Sequence, residues 1–517
     1  MVVSRNERGG FSQWCVGEGP QYLRPVLPTT LAAICLALLP TISAPSPAAH
    51  ARGAGVSAPT PAVHAPSPAS VPASVDSYVE RYRAATGLPG VEVAITKGDK
   101  VLHATGYGRT ATGEPVTADT PMAMASVSKS FTALAVLRLA DQGRLALDQP
   151  VRRYLPEFTM ADPRAAKITV RQLLDQTSGM ADSAFHERSL PQPHTLQGAV
   201  ARLRTARLAA DPGTAFSYHN TNYQVAARLV EVAGGLPFAA YLEAQVFRPL
   251  GMDHSTTVDT DRDLPPSARG HLYVLGRAVA LPEPTGFGNG SGGVISTAND
   301  MARWLIAQNG GLTGLLSPRA VREMRTPSKQ NGEYALGWMI GETGRGTPVL
   351  EHGGDLHTST AHQLLMPSSG YGVAVMANTG AAFADAHTLM NGIVAIIEGG
   401  TPEPPSPQDW IIIDAFFALL TLVTIGLAAR GTVRARRWAA RRTGRRLWRL
   451  APYLVPLLSC LTIVPIHRVL ARGRDAGWIQ LAYIYPTFMI WLVTATAACL
   501  TVVAARLWRV ARPGSSP

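Results

Sequence analysis

Ser126 and Lys129 stand three residues apart in the run Ser126-Val127-Ser128-Lys129. On a helix that spacing puts both side chains on one face, where they can meet. A serine hydroxyl is a weak nucleophile and needs a base within hydrogen-bond reach. A lysine one turn away serves as that base when apolar surroundings favour its neutral form. The residues from Phe131 to Ala140 are apolar nearly all round and read as a buried core helix, with Gly143 as its stop. The spacing alone is common, and about one chance match is expected in a chain this long. Here it occurs once, and its lysine is one of only five in a sequence otherwise rich in arginine. A lysine kept at the start of an apolar helix in such a chain points to chemistry.

Acyl transfer through a serine also needs a proton carrier and donors aimed at the developing oxyanion. Tyr218-His219-Asn220 follows the turn Asp211-Pro212-Gly213. On an extended stretch Tyr218 and Asn220 face the same way, so the phenol can relay a proton and the amide can bond a substrate carbonyl. His352-Gly353-Gly354 ends a strand-like run from Pro348, and the two glycines would let a substrate backbone approach a strand edge. Taken singly these two stretches are weak signals; their order and intervals carry the weight. His352, His357 and His362 lie five apart, but odd spacing on a strand alternates faces and no His-Glu-x-x-His pattern accompanies them, so no metal is expected. Gly286 to Gly293 lacks a following Lys-Ser/Thr and reads as a loop rather than a nucleotide cradle, and no cofactor is expected.

The elements that must hold these residues are legible in outline. Val91–Thr96 and Val101–Tyr107 read as a hairpin around Gly98-Asp99. Met122 to Ala140 reads as the motif helix, and a helix opening at Ile168-Thr169-Val170 ends before Thr177-Ser178-Gly179. Asn222–Ala233 is helical and closed by Gly234-Gly235. Thr297 to Asp300 has the form of a capping box with Asp in place of Glu. Leu336–Ile340, His362–Met366 and Gly372–Ala377 read as late strands. Strands at both ends with helices between predict an α+β body over 76–400, one sheet beside a helical region.

The flanks differ from the body. The chain has 517 residues and a net charge of +12, yet residues 53–408 hold 28 basic against 30 acidic groups. A body so close to neutral offers no nucleic-acid surface, and the excess charge reads as membrane-flanking. All four cysteines (Cys15, Cys35, Cys460 and Cys499) are in the flanks, so the body forms no disulfide. Residues 1–51 have the layout of a secretory signal, with Leu27–Ile42 apolar and Ala49-His50-Ala51 a cleavage-like site; an uncleaved anchor is the alternative. Residues 52–75 are a Pro/Ala-rich spacer, and 401–409 a Pro-rich linker. Apolar segments at 410–429, 451–466 and 478–505 predict three transmembrane helices, with Asp414 placed at an interface. The nine arginines of 430–449 read as a cytoplasmic loop under the positive-inside rule, which leaves the body outside the membrane.

SVSK, YHN and HGG, in that order, resemble the three motifs of the serine β-lactamase and penicillin-binding protein superfamily, and within it the class C β-lactamase-like branch that includes D-alanyl-D-alanine carboxypeptidases and esterases. The likeness runs from about Gly87 to Thr379 and takes in ITVRQLLDQTSGM (168–180) and SGGVISTANDMARW (291–304). It implies a β-lactamase-like body, an antiparallel sheet flanked by helices plus a helical region. It also implies that Ser126 is the acylated nucleophile, and that Lys129 and Tyr218 move its proton. Asn220 would contact the substrate amide, with His352, Gly353, Gly354 and Asp355 on the substrate-binding strand. The N–H groups of Ser126 and Asp355 would form the oxyanion hole. Two departures stand out: Gln176 where relatives carry His, and Asp355-Leu356-His357-Thr358-Ser359-Thr360 where many carry a Gly-aromatic pair.

The expected function is therefore a membrane-anchored extracytoplasmic serine hydrolase acting on D-alanyl peptides, β-lactams or small esters. A carboxypeptidase or esterase is expected ahead of a dedicated β-lactamase, because three spans and a spacer suit an enzyme resident at the membrane. The expected partners are a small-molecule or peptidoglycan-derived substrate and the membrane. The rival is a non-hydrolytic sensor of wall fragments or β-lactams that signals through the tail. Its cytoplasmic output would be confined to the arginine loop and a short end segment.

Overall fold

The structure, a computed structural model, describes residues 67–382, 384–404, 408–440, 447–471 and 473–511. The signal segment and most of the spacer lie outside the described residues. Folded structure starts earlier than residue 76, at helix α1 (Val71–Thr86), which has Pro72 in its first turn and Val71 and Val75 fully buried. The composition there reads as linker, but proline is well suited to a helix start and the valines pack against the sheet.

That sheet has six antiparallel strands in the order β2-β1-β11-β10-β9-β8. The strands are β1 (Gly90–Lys97), β2 (Lys100–Gly108), β8 (Met339–Glu342), β9 (Pro348–Asp355), β10 (Thr360–Met366) and β11 (Tyr371–Ala377). Strands β10 and β11 are buried along their whole length because both faces are covered. The period of two sorts their side chains. Val93, Ile95, Val373 and Val375 pack with α1 and the late helix Asp385–Ile397. Ala94, Ala374 and Met376 join the larger core, which holds the helices Ser128–Asp141 (α2), Thr221–Gly234 (α3) and Ala298–Asn309 (α4).

The motif helix differs from its expected span. Met122–Ala123 is a short strand, β3, paired with β7 (Val294–Ser296), and α2 starts only at Ser128. Between them Ala125–Val127 forms a single 3-10 turn with Ala125 at φ 46°. Strand pairing wins at Met122 because the chain must leave the sheet before it can coil. At the other boundaries cap chemistry decides. Thr169 and Gln172 make a reciprocal capping box at Val170–Leu174, and Gly235 closes α3 with φ 72°. Thr297 caps α4, but the return half of the expected box is absent. Asp300 instead accepts from His254 N at 2.9 Å and Ser255 Oγ at 2.8 Å. The sheet is tied to α2 through Trp304, which stacks on Phe131 at 4.0 Å and donates to Gln363 of β10 at 2.8 Å. Gln363 in turn donates to Ser130 Oγ at 2.9 Å, which fixes the helix behind Ser126.

Among the described residues past 408, three helical stretches are long and apolar enough to cross a bilayer: Ile411–Val433, Leu447–Leu470 and Pro486–Ala511. The third starts at Pro486 and not at Trp478, because Tyr485 leaves helical geometry and Trp478–Ile484 forms a separate short helix. Asp414 lies near the body end of the first stretch, where it accepts from Thr487 Oγ1 at 2.6 Å and from the backbone N–H of Leu275 at 2.7 Å. Arginines gather at the opposite end, where Arg506 stacks over Trp438 and Tyr453.

Candidate active site

The 3-10 turn at Ala125–Val127 presents Ser126 at the top of α2, half-buried and facing a cleft. A non-glycine residue in the left-handed region, here Ala125, is uncommon and concentrates at functional turns. Lys129 is fully buried one turn below. Its Nζ lies 3.1 Å from Ser126 Oγ, 2.9 Å from Asn220 Oδ1 and 2.8 Å from the carbonyl oxygen of Ser291. Burial drives the Lys129 pKa well below the usual lysine value; the nearby Glu187 charge opposes this, and Arg188 and Arg474 reinforce it. A neutral amine has two N–H donors and one lone pair. The two carbonyl-type acceptors take the donors, and the lone pair is left for the hydroxyl of Ser126.

Tyr218 faces the same group from the opposite side. Its ring lies 4.8 Å from Lys129 Nζ. Burial raises the phenol pKa above its ordinary value, the nearby Ser126 hydroxyl only partly opposing it, so Tyr218 stays protonated. Gln176 accounts for the first departure from the family pattern. Its side-chain oxygen accepts from His219 N at 3.1 Å and from Asn222 Nδ2 at 2.6 Å, and its backbone carbonyl accepts from Ser217 N at 2.9 Å. An amide thereby holds the Tyr218–Asn220 stretch in place with no titratable group. The His219 side chain pairs with Asp182 at 2.7 Å. Asp182, Glu187 and His219 bring one candidate metal-ligand atom each within 4.8 Å of one another. The sequence reading missed this grouping because Asp182 and His219 are far apart in the chain.

Strand β9 brings up the third motif. A Cβ on Gly354 would stand 2.4 Å from the carbonyl oxygen of Met124 and 3.0 Å from Ser126 N. Only glycine lets β9 run this close to the Ser126 turn. A Cβ on Gly353 would fall 2.3 Å from His387 on the other face. His352 is fully buried beside the cleft rather than in it. Its Nδ1 donates to the carbonyl of Gly353 at 2.7 Å, which leaves Nε2 to accept from Tyr334 Oη at 3.1 Å. Burial, more than any neighbouring charge, lowers its pKa to about 3. Its ring is 6.3 Å from that of Tyr218, and Tyr334 packs edge-on against both rings. Tyr334 was missed in the sequence because no spacing rule links it to residue 352.

Asp355 ends β9 in the cleft and accepts from His387 Nε2 at 3.0 Å. The unusual run after it is held by Glu283. The Glu283 carboxylate accepts from the N–H groups of His357 and Thr358 at 2.8 Å each, and from His357 Nδ1 and Thr358 Oγ1 at 2.7 Å. The three histidines spaced by five are dispersed: His352 to Tyr334, His357 to Glu283, and His362 to Glu351.

Comparison with known proteins identifies the family of the fold. The Beta-lactamase family matches residues 75–391. Protein flp of Staphylococcus aureus (strain MW2) is 28% identical over 319 residues, 59% of this chain and 62% of that protein. The chain thus spans under two thirds of the length of that relative. Esterase EstB of Burkholderia gladioli is 30% identical over 276 residues, 46% of this chain and 70% of the esterase. The octameric penicillin-binding protein homologue from Pyrococcus abyssi superposes with a TM-score of 0.57 at 26% identity, covering 65% of this chain and 80% of that one. With the family's match covering most of the chain, and with the fold and the three-motif cleft in agreement, this chain belongs to the Beta-lactamase family.

Proposed function

We propose that the chain is a membrane-anchored serine hydrolase that forms an acyl-enzyme on Ser126. The observation that carries this reading is the buried Lys129 amine, 3.1 Å from Ser126 Oγ with both of its N–H donors engaged elsewhere. Neutral Lys129 takes the Ser126 proton as Oγ attacks a carbonyl. Tyr218, a protonated phenol whose ring lies 4.8 Å from Lys129 Nζ, gives its proton to the leaving group and takes one back from Lys129. The N–H groups of Ser126 and Asp355 receive the oxyanion, brought together by the close approach of Gly354. Asn220, its oxygen held by Lys129, turns its NH2 toward the substrate carbonyl. His352 keeps Tyr334 in place against the Tyr218 ring. Once the leaving group departs, Lys129 is neutral again, and the same pair activates water for deacylation.

D-alanyl peptides, β-lactams and small esters all present such a carbonyl. A carboxypeptidase or esterase is favoured over a dedicated β-lactamase, and the esterase among the relatives supports that order. Three helices long and apolar enough to cross a bilayer, with arginines gathered at one end, support a body outside the membrane under the positive-inside rule. The sensor reading keeps one specific support, since Gln480 from the tail lines the cleft. A time course decides between them. Mixing the full chain with a nitrophenyl ester should give many turnovers per molecule, and none in Ser126→Ala. One equivalent of product followed by a persistent adduct, seen by intact mass, would favour the sensor. Steady release unchanged in Ser126→Ala would sink both readings.

A further inference from the structure

The segment between the second and third long helices does not merely connect them; it lies against the catalytic body. Asp475 is buried, and its carboxylate accepts from Ser189 N at 2.8 Å, Ser189 Oγ at 2.8 Å and Arg468 at 3.0 Å. Tyr483 Oη donates to the carbonyl of Pro282 at 2.7 Å, and its ring meets His357 edge-on at 6.0 Å. The two body loops held in this way, one through Ser189 and one through Pro282, supply Glu187, Arg188, Glu283 and Phe287 to the wall of the Ser126 cleft. Gln480 of the tail segment is itself part of that wall. It stands six residues before Pro486, where the third long helix starts.

The body also turns apolar side chains toward this side. Leu275 sits at the tip of the hairpin β5 (Gly270–Val274) and β6 (Arg277–Leu281), 51% exposed and at φ 53°. A left-handed turn position favours Asn, Asp or Gly, and a leucine there is strained by about 1–2 kcal/mol. Its N–H bonds Asp414 at the start of the first long helix, and a Cβ on the next residue, Gly276, would meet Ile411 at 3.2 Å. Leu190 and Ile479, beside the cleft wall, are exposed as well. A strained, exposed leucine beside a membrane helix is accounted for if its side chain enters the bilayer surface.

We infer that the cleft opens at the level of the lipid headgroups and takes an amphiphile. Its ester or amide carbonyl reaches Ser126 while its apolar tail stays in the bilayer. This rests on the hydrolase reading above, and it names the substrate class and the wall that selects it. Confinement of enzyme and substrate to one surface raises their effective concentration, so the preference is for substrate in the enzyme's own membrane.

The full chain is reconstituted in phosphatidylcholine vesicles. A nitrophenyl ester of a long-chain fatty acid is doped either into those vesicles or into separate ones, and nitrophenyl acetate in water is the soluble control. The ester sharing the enzyme's bilayer should turn over at least about tenfold faster than the ester in separate vesicles. The double variant Leu275→Asn, Ile479→Asn should cut the shared-bilayer rate about tenfold while acetate turnover stays within about twofold. Asparagine accepts the left-handed turn, so retained acetate turnover also reports an intact fold. Equal rates from shared and separate vesicles overturn the inference and leave the hydrolase reading standing. So does a double variant that keeps its shared-bilayer rate or loses both activities equally. Failure to turn over acetate as well as the lipid ester overturns the hydrolase reading, and this inference with it.

Discussion

His362 and His387 face each other Nδ1 to Nδ1 at 3.0 Å, so one proton lies between two rings. Each outer nitrogen meets a carboxylate at 3.0 Å: His362 Nε2 meets Glu351, and His387 Nε2 meets Asp355. Ionised carboxylates only accept, so both outer nitrogens carry protons and the pair holds three protons in all. One ring is therefore an imidazolium. The electrostatics place the charge on His387. Burial pushes its pKa down, but the Asp355 charge overcomes this and leaves it raised, whereas burial leaves His362 lowered. The charge sits directly behind Gly353 and holds Asp355 at the rim of the cleft.

Removing that charge should cost both fold and rate. His387→Leu leaves Asp355, a part-buried carboxylate, without its cationic partner, a loss of about 1–3 kcal/mol. The raised His387 pKa also sets a pH dependence. Its contribution is fully present below the unfolded value of 6.5 and is lost as pH rises through the folded value. Chemical denaturation of the full chain in detergent, followed across that range, should show an alkaline loss of stability in wild type that is absent in His387→Leu.

Lys129→Met should separate stability from activity. The side chain is buried with a lowered pKa, so the unfolded chain binds the extra proton at any pH between the folded and unfolded values. Burying the amine therefore opposes folding at neutral pH, and the penalty fades as pH rises toward the unfolded value. An apolar isostere removes that penalty, and a gain of 1 kcal/mol raises the melting point by roughly 2–4 °C in a domain of this size. Ester turnover should meanwhile fall by about 10²–10⁴-fold. A melting point that drops, or turnover that survives, would contradict the neutral-base assignment.

His352 should govern acid stability rather than catalytic pH dependence. Its folded pKa of about 3 lies below the ordinary 6.5, so stability is full above 6.5 and is lost as pH falls toward 3. His352→Gln keeps one donor and one acceptor for Gly353 and Tyr334 but cannot take up a proton in this range. Stability measured between pH 6.5 and 3 should lose part of its slope in the variant. An unchanged slope would mean that another buried base carries the effect.

Gly354→Ala tests the close approach of β9 to the nucleophile. The new methyl would stand 2.4 Å from the Met124 carbonyl, a distance that forces the strand back. Overpacking of this kind costs about 1–3 kcal/mol. The larger expected effect is on kcat, because a shift of the oxyanion donors by about 1 Å can cost roughly 10²-fold. Steady-state kinetics should show kcat falling with KM little changed. Parallel loss in both would point to a disturbed binding wall instead.

By itself the sequence determined the three motifs, the α+β body and the three apolar segments. Each depends on local pattern: a spacing of three for Ser126 and Lys129, a period of two along β1 and β11, and runs of uncharged residues past 410. Local pattern was less reliable at Met122, where pairing with β7 overrode helix periodicity, and at Val71, where burial against the sheet turned a linker-like composition into helix. Tertiary structure alone decided how the proton-carrying groups are partnered. The bonds from Lys129 to Ser291, His352 to Tyr334, His387 to Asp355 and Ser189 to Asp475 join residues with no fixed sequence relation. The protonation states and the cleft wall follow from burial and from which groups the fold brings within about 3 Å, and a linear pattern records neither.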